Sequence, residues 1–477
     1  MASRDSKRPN IVYIIADQQK ASATSVYGNN LVPTPFTDHM AANGITFRDA
    51  YTPSTICTPS RASVFTGVHP LVHQVTCWQN KAPWNLPQMS EMFADSGYYT
   101  AAVGHYELGR NLGRGWHEQS DLWEMGPLLD ATNFKYSHGR TDCGWSSGAL
   151  DCKPEEGQSA VLANRAIKML DNAVDAGAPF FLHVSFNDPH PPYFVPPPYD
   201  SIVDPDKITL PDFGNDDGRP AWQHEALKAV NTAAASSYDV KKVIATYYGM
   251  IACVDAQMKR IHDALASHDL LENTWIVFSA DHGDFAGEKG LFMKCEVPYE
   301  CLLHVPLIIV PPSGMNAPRD KHISGLVQTA DLFSTMLTLA GIDVPDYAQT
   351  KDLLGWVGDG ANEPLHECLF AQVGDYHGHL KDTLPKGTYE AGRRKALLQN
   401  ARTSEFSYIR DSQWGDEAYD LRTDPTELSN VINDNPKSTG KEPAWVGEMR
   451  RRTDNWEEEC LKLREKLGVI PGDRGFD

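Results

Sequence analysis

The chain has 477 residues, 41% of them hydrophobic and 22% charged, the balance of a folded protein with one large core and a smaller one. Its formal net charge of −20 excludes a face built to hold phosphate backbones, so no nucleic-acid partner is expected. Nine cysteines, odd in number and without a CxxC pair, suggest neither a zinc ribbon nor a disulfide framework.

The N-terminal MASRDSKRPN runs into an apolar strand too short for the apolar region of a signal peptide. No apolar run reaches the roughly 20 residues of a membrane helix. These features give the expectation of a cytoplasmic protein without a membrane partner. NIVYIIADQQ (10–19) is a continuous apolar run with a polar ending, the pattern of a strand buried on both faces of a parallel sheet. In YTPSTICTPSRASVFTG (51–67) Pro59 suits the first turn of a helix, which sets Cys57 at the helix mouth, where exposed N–H groups favour negative charge. There it is either a small buried apolar side chain or a reactive group.

YYTAAVGHYELG (98–109), PFFLHVSFNDPH (179–190) and TWIVFSADHGD (274–284) repeat the strand-then-polar form, whereas PLIIVPP (306–312) lacks the polar ending. Segments 190–207 and 211–223, rich in Pro, Asp and Gly, predict a long loop over the site. Ile244, Tyr247, Ile251, Val254, Met258, Ile261 and Leu265 form one apolar helical stripe, a core feature. Beyond about residue 365 come shorter strand-like pieces, FSYIRD and EAYDLR, and a charged helix near 443–467. The expected fold is α/β: a large, mostly parallel sheet sandwiched by helices, plus a smaller C-terminal antiparallel sheet with a helix. The expected boundaries are 1–365 for the large domain and 366–477 for the C-terminal subdomain.

Ligands of open α/β sheets bind beyond the carboxyl ends of the strands. The polar residues collected there are Asp17 and Gln18, Cys57 and Arg61, His105 and Glu107, His190, Asp281 and His282, and then Lys294. Two carboxylates, an amide oxygen and an imidazole suit one divalent ion, Ca²⁺, Mg²⁺ or Mn²⁺, and the imidazole admits Zn²⁺. The tryptophans Trp78, Trp84, Trp116, Trp123 and Trp145 are either packing residues or walls of a substrate pocket.

Cys57-Thr58-Pro59-Ser60-Arg61 matches the C-x-P-S-R signature of type I sulfatases, in the alkaline-phosphatase superfamily. PNIVYIIADQ resembles that family's first strand, SADHGDFAGEKGLFMK its second metal segment and AYDLRTDPTELSNV its C-terminal signature, so the likeness covers nearly the whole chain. The resemblance implies that a maturase oxidises Cys57 to formylglycine, whose hydrate attacks sulfur with one hydroxyl and expels sulfate with the other. It implies one metal ion, Ca²⁺ or Mn²⁺ foremost, held by Asp17, Gln18, residue 57, Asp281 and His282. Arg61 would hold the formylglycine hydroxyls and the ligands in place. His190 and Lys294 would bind the charged oxygens, and one of them would protonate the leaving alcohol.

Three positions depart from the common pattern: Asp17-Gln18 stands for Asp-Asp, Asp281-His282 for Asp-Asn, and Gly104-His105-Tyr106-Glu107 for G-K-W-H. The first two resemble the phosphonate monoester hydrolase and choline sulfatase branch. At the third, His105 takes the place of a sulfate-binding lysine and Glu107 that of the histidine acting on the second hydroxyl. The resulting expectation is hydrolysis of a small sulfate monoester by a homo-oligomer. A phosphonate monoester hydrolase or phosphodiesterase with the same machinery is the alternative, and an inactive binding protein the third reading.

Overall fold

The structure, a computed structural model, describes residues 8–76, 80–106, 108, 114–121, 147–214, 219–230, 236–374, 398–411, 414–432 and 442–470. In chain order the first ten strands are β1 (Asn10–Ala16), β2 (Ile45–Tyr51), β3 (Tyr99–Gly104), β4 (Glu118–Asp121), β5 (Ser147–Ala149), β6 (Phe180–Phe186), β7 (Tyr193–Val195), β8 (Thr274–Ala280), β9 (Leu307–Val310) and β10 (Lys321–Gln328). Eight of them form one sheet in the order β10-β2-β9-β8-β1-β6-β3-β4. Every pairing in it is parallel except those of β9, which runs antiparallel to both β2 and β8. That reversal explains why PLIIVPP has no polar ending: its carboxyl end lies at the edge opposite the one where β1 and β8 finish.

Strand β1 shows why these runs are apolar throughout. Ile11, Tyr13 and Ile15 pack on one side with Phe65, Leu332 and Met336. Val12, Ile14 and Ala16 pack on the other with Leu162, Met169, Val254 and Ile261. Alternate residues thus meet helices on both faces, Cys57–Thr66 and Leu332–Leu339 on one, Gln158–Ala176 and Ser237–Ser267 on the other. Among the described residues no helix is long and apolar enough to cross a membrane.

The segments rich in Pro, Asp and Gly are more ordered than their composition predicts. Strand β7 pairs in parallel with β5, and a helix starts at Ala221. Tyr193, Val195, Val203 and Ile208 are buried against Val243, Ile244, Tyr247 and Ile251 of the long helix. A few well-spaced apolar side chains among the prolines suffice to dock these turns, and composition averages hide them.

Strands β11 (Leu369–Val373), β12 (Leu398–Arg402), β13 (Phe406–Asp411) and β14 (Glu417–Asp420) form a separate antiparallel sheet. The helix Ala444–Leu467 lies on it through Val446 and Met449, and Trp456 stacks on Phe370 with centroids 5.0 Å apart. The two sheets meet where Tyr51 and Leu326 pack with Leu369 and Ala371, and the small sheet also packs through Val373, Leu398, Ile409 and Tyr419 on Ile56, Phe285, Leu291 and Tyr299.

Gly104 closes β3 with φ 100°, and a Cβ there would stand 1.9 Å from the Ser185 carbonyl oxygen of β6. Both the backbone angle and the space require glycine. Gly104→Ala is therefore expected to cost about 3 kcal/mol or more. Gly177→Ala, at φ 70° with nothing within 4 Å, should cost only about 1 kcal/mol. Thermal unfolding of the two variants checks this, and equal shifts would contradict the close approach of β3 to β6.

Candidate active site

Strands β8, β1, β6 and β3 are neighbours and parallel, so their carboxyl ends share one edge. Asp17 and Gln18 directly follow β1, His105 follows β3, and Asp281 and His282 follow β8. Gln18 takes a left-handed conformation with φ 68°. That bend is held by its own N–H donating to Asp281 Oδ1 at 2.9 Å and by Tyr247 donating to its carbonyl at 2.8 Å.

The helix Cys57–Thr66 runs into this edge, and all ten of its residues are buried. Ser60 Oγ donates to the Asp281 carbonyl at 2.7 Å, tying the first turn to the end of β8. One turn after Cys57, Arg61 spreads its guanidinium between the strand ends. Nε donates to Asp281 Oδ2 at 2.9 Å, Nη2 to Asp17 Oδ2 at 3.1 Å, and Nη1 to Ser185 Oγ at 2.6 Å and to the His105 carbonyl. Asp17, Arg61 and Asp281 are each no more than 2% exposed.

Burial and the neighbouring Asp281 charge push the Asp17 carboxyl above its ordinary range. Burial alone would raise Asp281 as well, but His282, Arg61 and Lys294 outweigh it and hold Asp281 low. Burial lowers His282 to about 4, so its ring is neutral. Its Nδ1 lies 3.0 Å from the Gly283 carbonyl and must donate there, which leaves the lone pair on Nε2. Nε2 lies 3.1 Å from Cys57 Sγ, 3.7 Å from Asp17 Oδ1 and 3.8 Å from Asp281 Oδ1. Lys294 Nζ closes the group, 2.6 Å from Cys57 Sγ and 3.0 Å from His282 Nε2.

These residues fit a divalent ion. Asp17, Cys57, Asp281 and His282 each offer a ligand atom, all within 4.8 Å of one another. Gln18 adds a buried Oε1 that has no hydrogen-bond partner. An acceptor left in that state is costly unless a cation meets it.

The sulfatase family pattern matches residues 9–342, and the pattern described as N-sulphoglucosamine sulphohydrolase, C-terminal, matches residues 287–442. The chain belongs to the sulfatase family. It is a sulfuric ester hydrolase. The uncharacterized sulfatase YidJ of Escherichia coli (strain K12) is 28% identical over 440 residues, covering 90% of this chain and 84% of that one. The arylsulfatase of Clostridium perfringens is 28% identical over 466 residues, covering 89% and 90%. In fold, the phosphonate monoester hydrolase of Agrobacterium radiobacter is similar, with a TM-score of 0.76 at 24% identity over 96% of each chain.

The structure thus brings together Asp17, Gln18, Cys57, Arg61, His105, Asp281, His282 and Lys294. His105 Nε2 stands 3.9 Å from Asp17 Oδ2, and its carbonyl serves Arg61. His190 lies four residues beyond β6, and its Nδ1 is 2.7 Å from the Pro191 carbonyl, to which it donates. Glu107 lies outside the described residues, as do Trp78, Trp123 and Trp145. Trp116 is a core residue, and Trp84 is exposed with Arg114 over its ring at 5.1 Å, so neither supports the pocket-wall reading. Two site residues escaped the sequence reading. Ser185, inside β6, carries no strand-end signal; Asp284 does, three positions after Asp281 in the same polar run.

Arg61→Met should destabilise the protein by about 3–5 kcal/mol, because it removes the cation hydrogen-bonded to both buried carboxylates. An unchanged unfolding temperature would contradict the ion-pair geometry. A second expectation concerns the loop that carries His190. Asp188 is buried, accepts from Ser159 Oγ at 2.5 Å and is pushed up from 3.8 to about 6 by burial. The folded state then holds a proton that the unfolded chain has lost, so this group's stability contribution falls as pH rises from about 4 to about 6 and stays low above. Asp188→Asn removes that dependence. Relative to the parent, it should be about 3 kcal/mol better off at pH 8 than at pH 4, read from urea unfolding at both values.

Proposed function

We propose that this sulfatase hydrolyses sulfate monoesters of small molecules, using a formylglycine made from Cys57 and one divalent ion. The observation that carries the reading is the meeting of Cys57 Sγ, Lys294 Nζ and His282 Nε2, within 3.1 Å, beside two buried carboxylates at a helix mouth. Asp17, Gln18, Asp281, His282 and residue 57 would hold the ion. An oxygen-rich set with one imidazole favours Ca²⁺ or Mn²⁺ over Zn²⁺, with Mg²⁺ also accommodated. When present, the ion supplies positive charge and the aldehyde hydrate supplies two hydroxyls on one carbon, the chemistry of attack and release.

The residues divide the remaining work. Arg61 directs its donors to Asp281, Asp17, Ser185 and the His105 carbonyl, so its task is orientation of the ligands. Lys294 reaches Cys57 Sγ at 2.6 Å and would meet the sulfate oxygens transferred to residue 57. His190 gives its Nδ1 proton to Pro191, which leaves Nε2 as the atom to exchange a proton with the leaving alcohol. His105, beside Asp17, stands at the position of the family's sulfate-binding lysine and would meet a sulfate oxygen. A maturase that oxidises Cys57 and a cytoplasmic location complete the reading.

Mass spectrometry of the Cys57 peptide and turnover of an aryl sulfate, an aryl phosphonate monoester and a bis-aryl phosphate test it together. The aryl sulfate should have the highest kcat/KM; a preference for either phosphorus ester would reassign the substrate while keeping the machinery. Cys57→Ala should lower kcat about 1000-fold or more with the fold intact. Chelation should abolish activity reversibly, and Asp17→Ala should weaken ion binding more than Gln18→Ala, because it removes a charged ligand. Full activity in the chelated enzyme would overturn the metal assignment.

A further inference from the structure

Behind the metal ligands lies a chain of hydrogen bonds whose direction is fixed at its far end. The Met293 backbone N–H, which can only donate, lies 3.0 Å from Tyr193 Oη. Tyr193 therefore accepts there and spends its single proton on Asp284 Oδ2, 2.8 Å away. Asp284 Oδ1 accepts the Ala286 N–H at 2.7 Å. Both carboxylate oxygens are thus acceptors, and Asp284 is fully buried. Gln18 approaches the same Oδ2 at 2.6 Å and can do so only with its NH₂ group. Its Oε1 then has one direction left, away from Asp284.

We infer that Asp284 is a positioning residue, which fixes the Gln18 amide so that Oε1 and not NH₂ faces the divalent ion. The inference rests on the reading of Gln18 as a metal ligand. It accounts for how a neutral side chain stands where the common sulfatase pattern has a second aspartate. A carboxylate presents an oxygen whichever way it turns, whereas an amide offers an oxygen in one orientation and two donors in the other. The negative charge missing from position 18 reappears one residue further from the ion, on Asp284. Because the chain begins at the N–H of Met293, next to Lys294, the segment carrying Lys294 also registers the orientation of Gln18.

The test exchanges the polarity of the pair and reads Mn²⁺ affinity by electron paramagnetic resonance on the full-length protein, with residue 57 in the same state throughout. Asp284→Asn is isosteric, but it turns a donor toward Gln18 and should turn the amide over, weakening Mn²⁺ binding about 10- to 100-fold. Adding Gln18→Glu supplies an acceptor for that new donor and an oxygen for the ion. The double variant should return to within a few-fold of the parent. A residue needed for packing alone would tolerate Asp284→Asn and gain nothing from the second change.

Asp17→Asn separates the inference from the reading beneath it. If Asp17→Asn loses Mn²⁺ but Asp284→Asn does not, the positioning role is wrong and the metal site stands. If Asp17→Asn binds Mn²⁺ as the parent does, the metal assignment itself fails and the inference with it. Should Asp284→Asn not fold, the double variant decides: recovered folding and affinity support the inference, and failure of either overturns it.

Discussion

Two carboxylates buried side by side, Asp17 and Asp281, repel one another, and the Arg61 guanidinium is what lets them share a dry site. Buried ion pairs seldom repay the loss of water by much, so the value of this one is positional. Arg61 lies four residues after Cys57 on one helix, which puts both side chains on the same face. Docking the arginine on the carboxylates therefore docks the cysteine beside His282 and Lys294. The parallel register of β8, β1, β6 and β3 supplies the rest by bringing the strand ends level.

Around this centre the protein spreads its charges in layers. Lys294 Nζ lies 2.6 Å from Cys57 Sγ, while the Arg61 guanidinium is directed at the Asp17 and Asp281 carboxylates. Asp284 lies deeper still, behind Gln18, where burial pushes it up to about 6. If Gln18 is a metal ligand as proposed, placing the negative charge at that depth would leave a bound divalent ion less neutralised by the protein. A less neutralised ion draws more strongly on the oxygens of an anionic substrate.

Much of this was legible in the sequence because both-face burial leaves continuous apolar runs and the polar residues that follow them stand out. Asp17, His105, Asp281 and His282 are all of that kind. The signature around Cys57, in order with the other segments, carries the family resemblance in the sequence itself. Other features depend on partners distant in the chain and leave no local pattern. The antiparallel course of β9 is set by its neighbours β2 and β8, and an apolar run reads the same in either direction. Ser185 matters because it lies under Arg61, 124 residues away in sequence. The docking of β7 and its following turns onto the long helix rests on a few apolar residues that proline-rich surroundings obscured.

The helix Cys57–Thr66 is buried along its whole length, with Cys57 itself only 3% exposed. Phe65 and Val64 are locked in the same core as the central sheet, and Ile56 in the core shared with the second sheet. An enzyme that needs this segment extended in its own cleft could not lift it out without dismantling both cores. The proposed oxidation of Cys57 would consequently have to take place while the chain is still being made or has yet to close. Under the proposed reading, a molecule that folds with a thiol at this position would keep it, and the folded interior would record whether oxidation came in time.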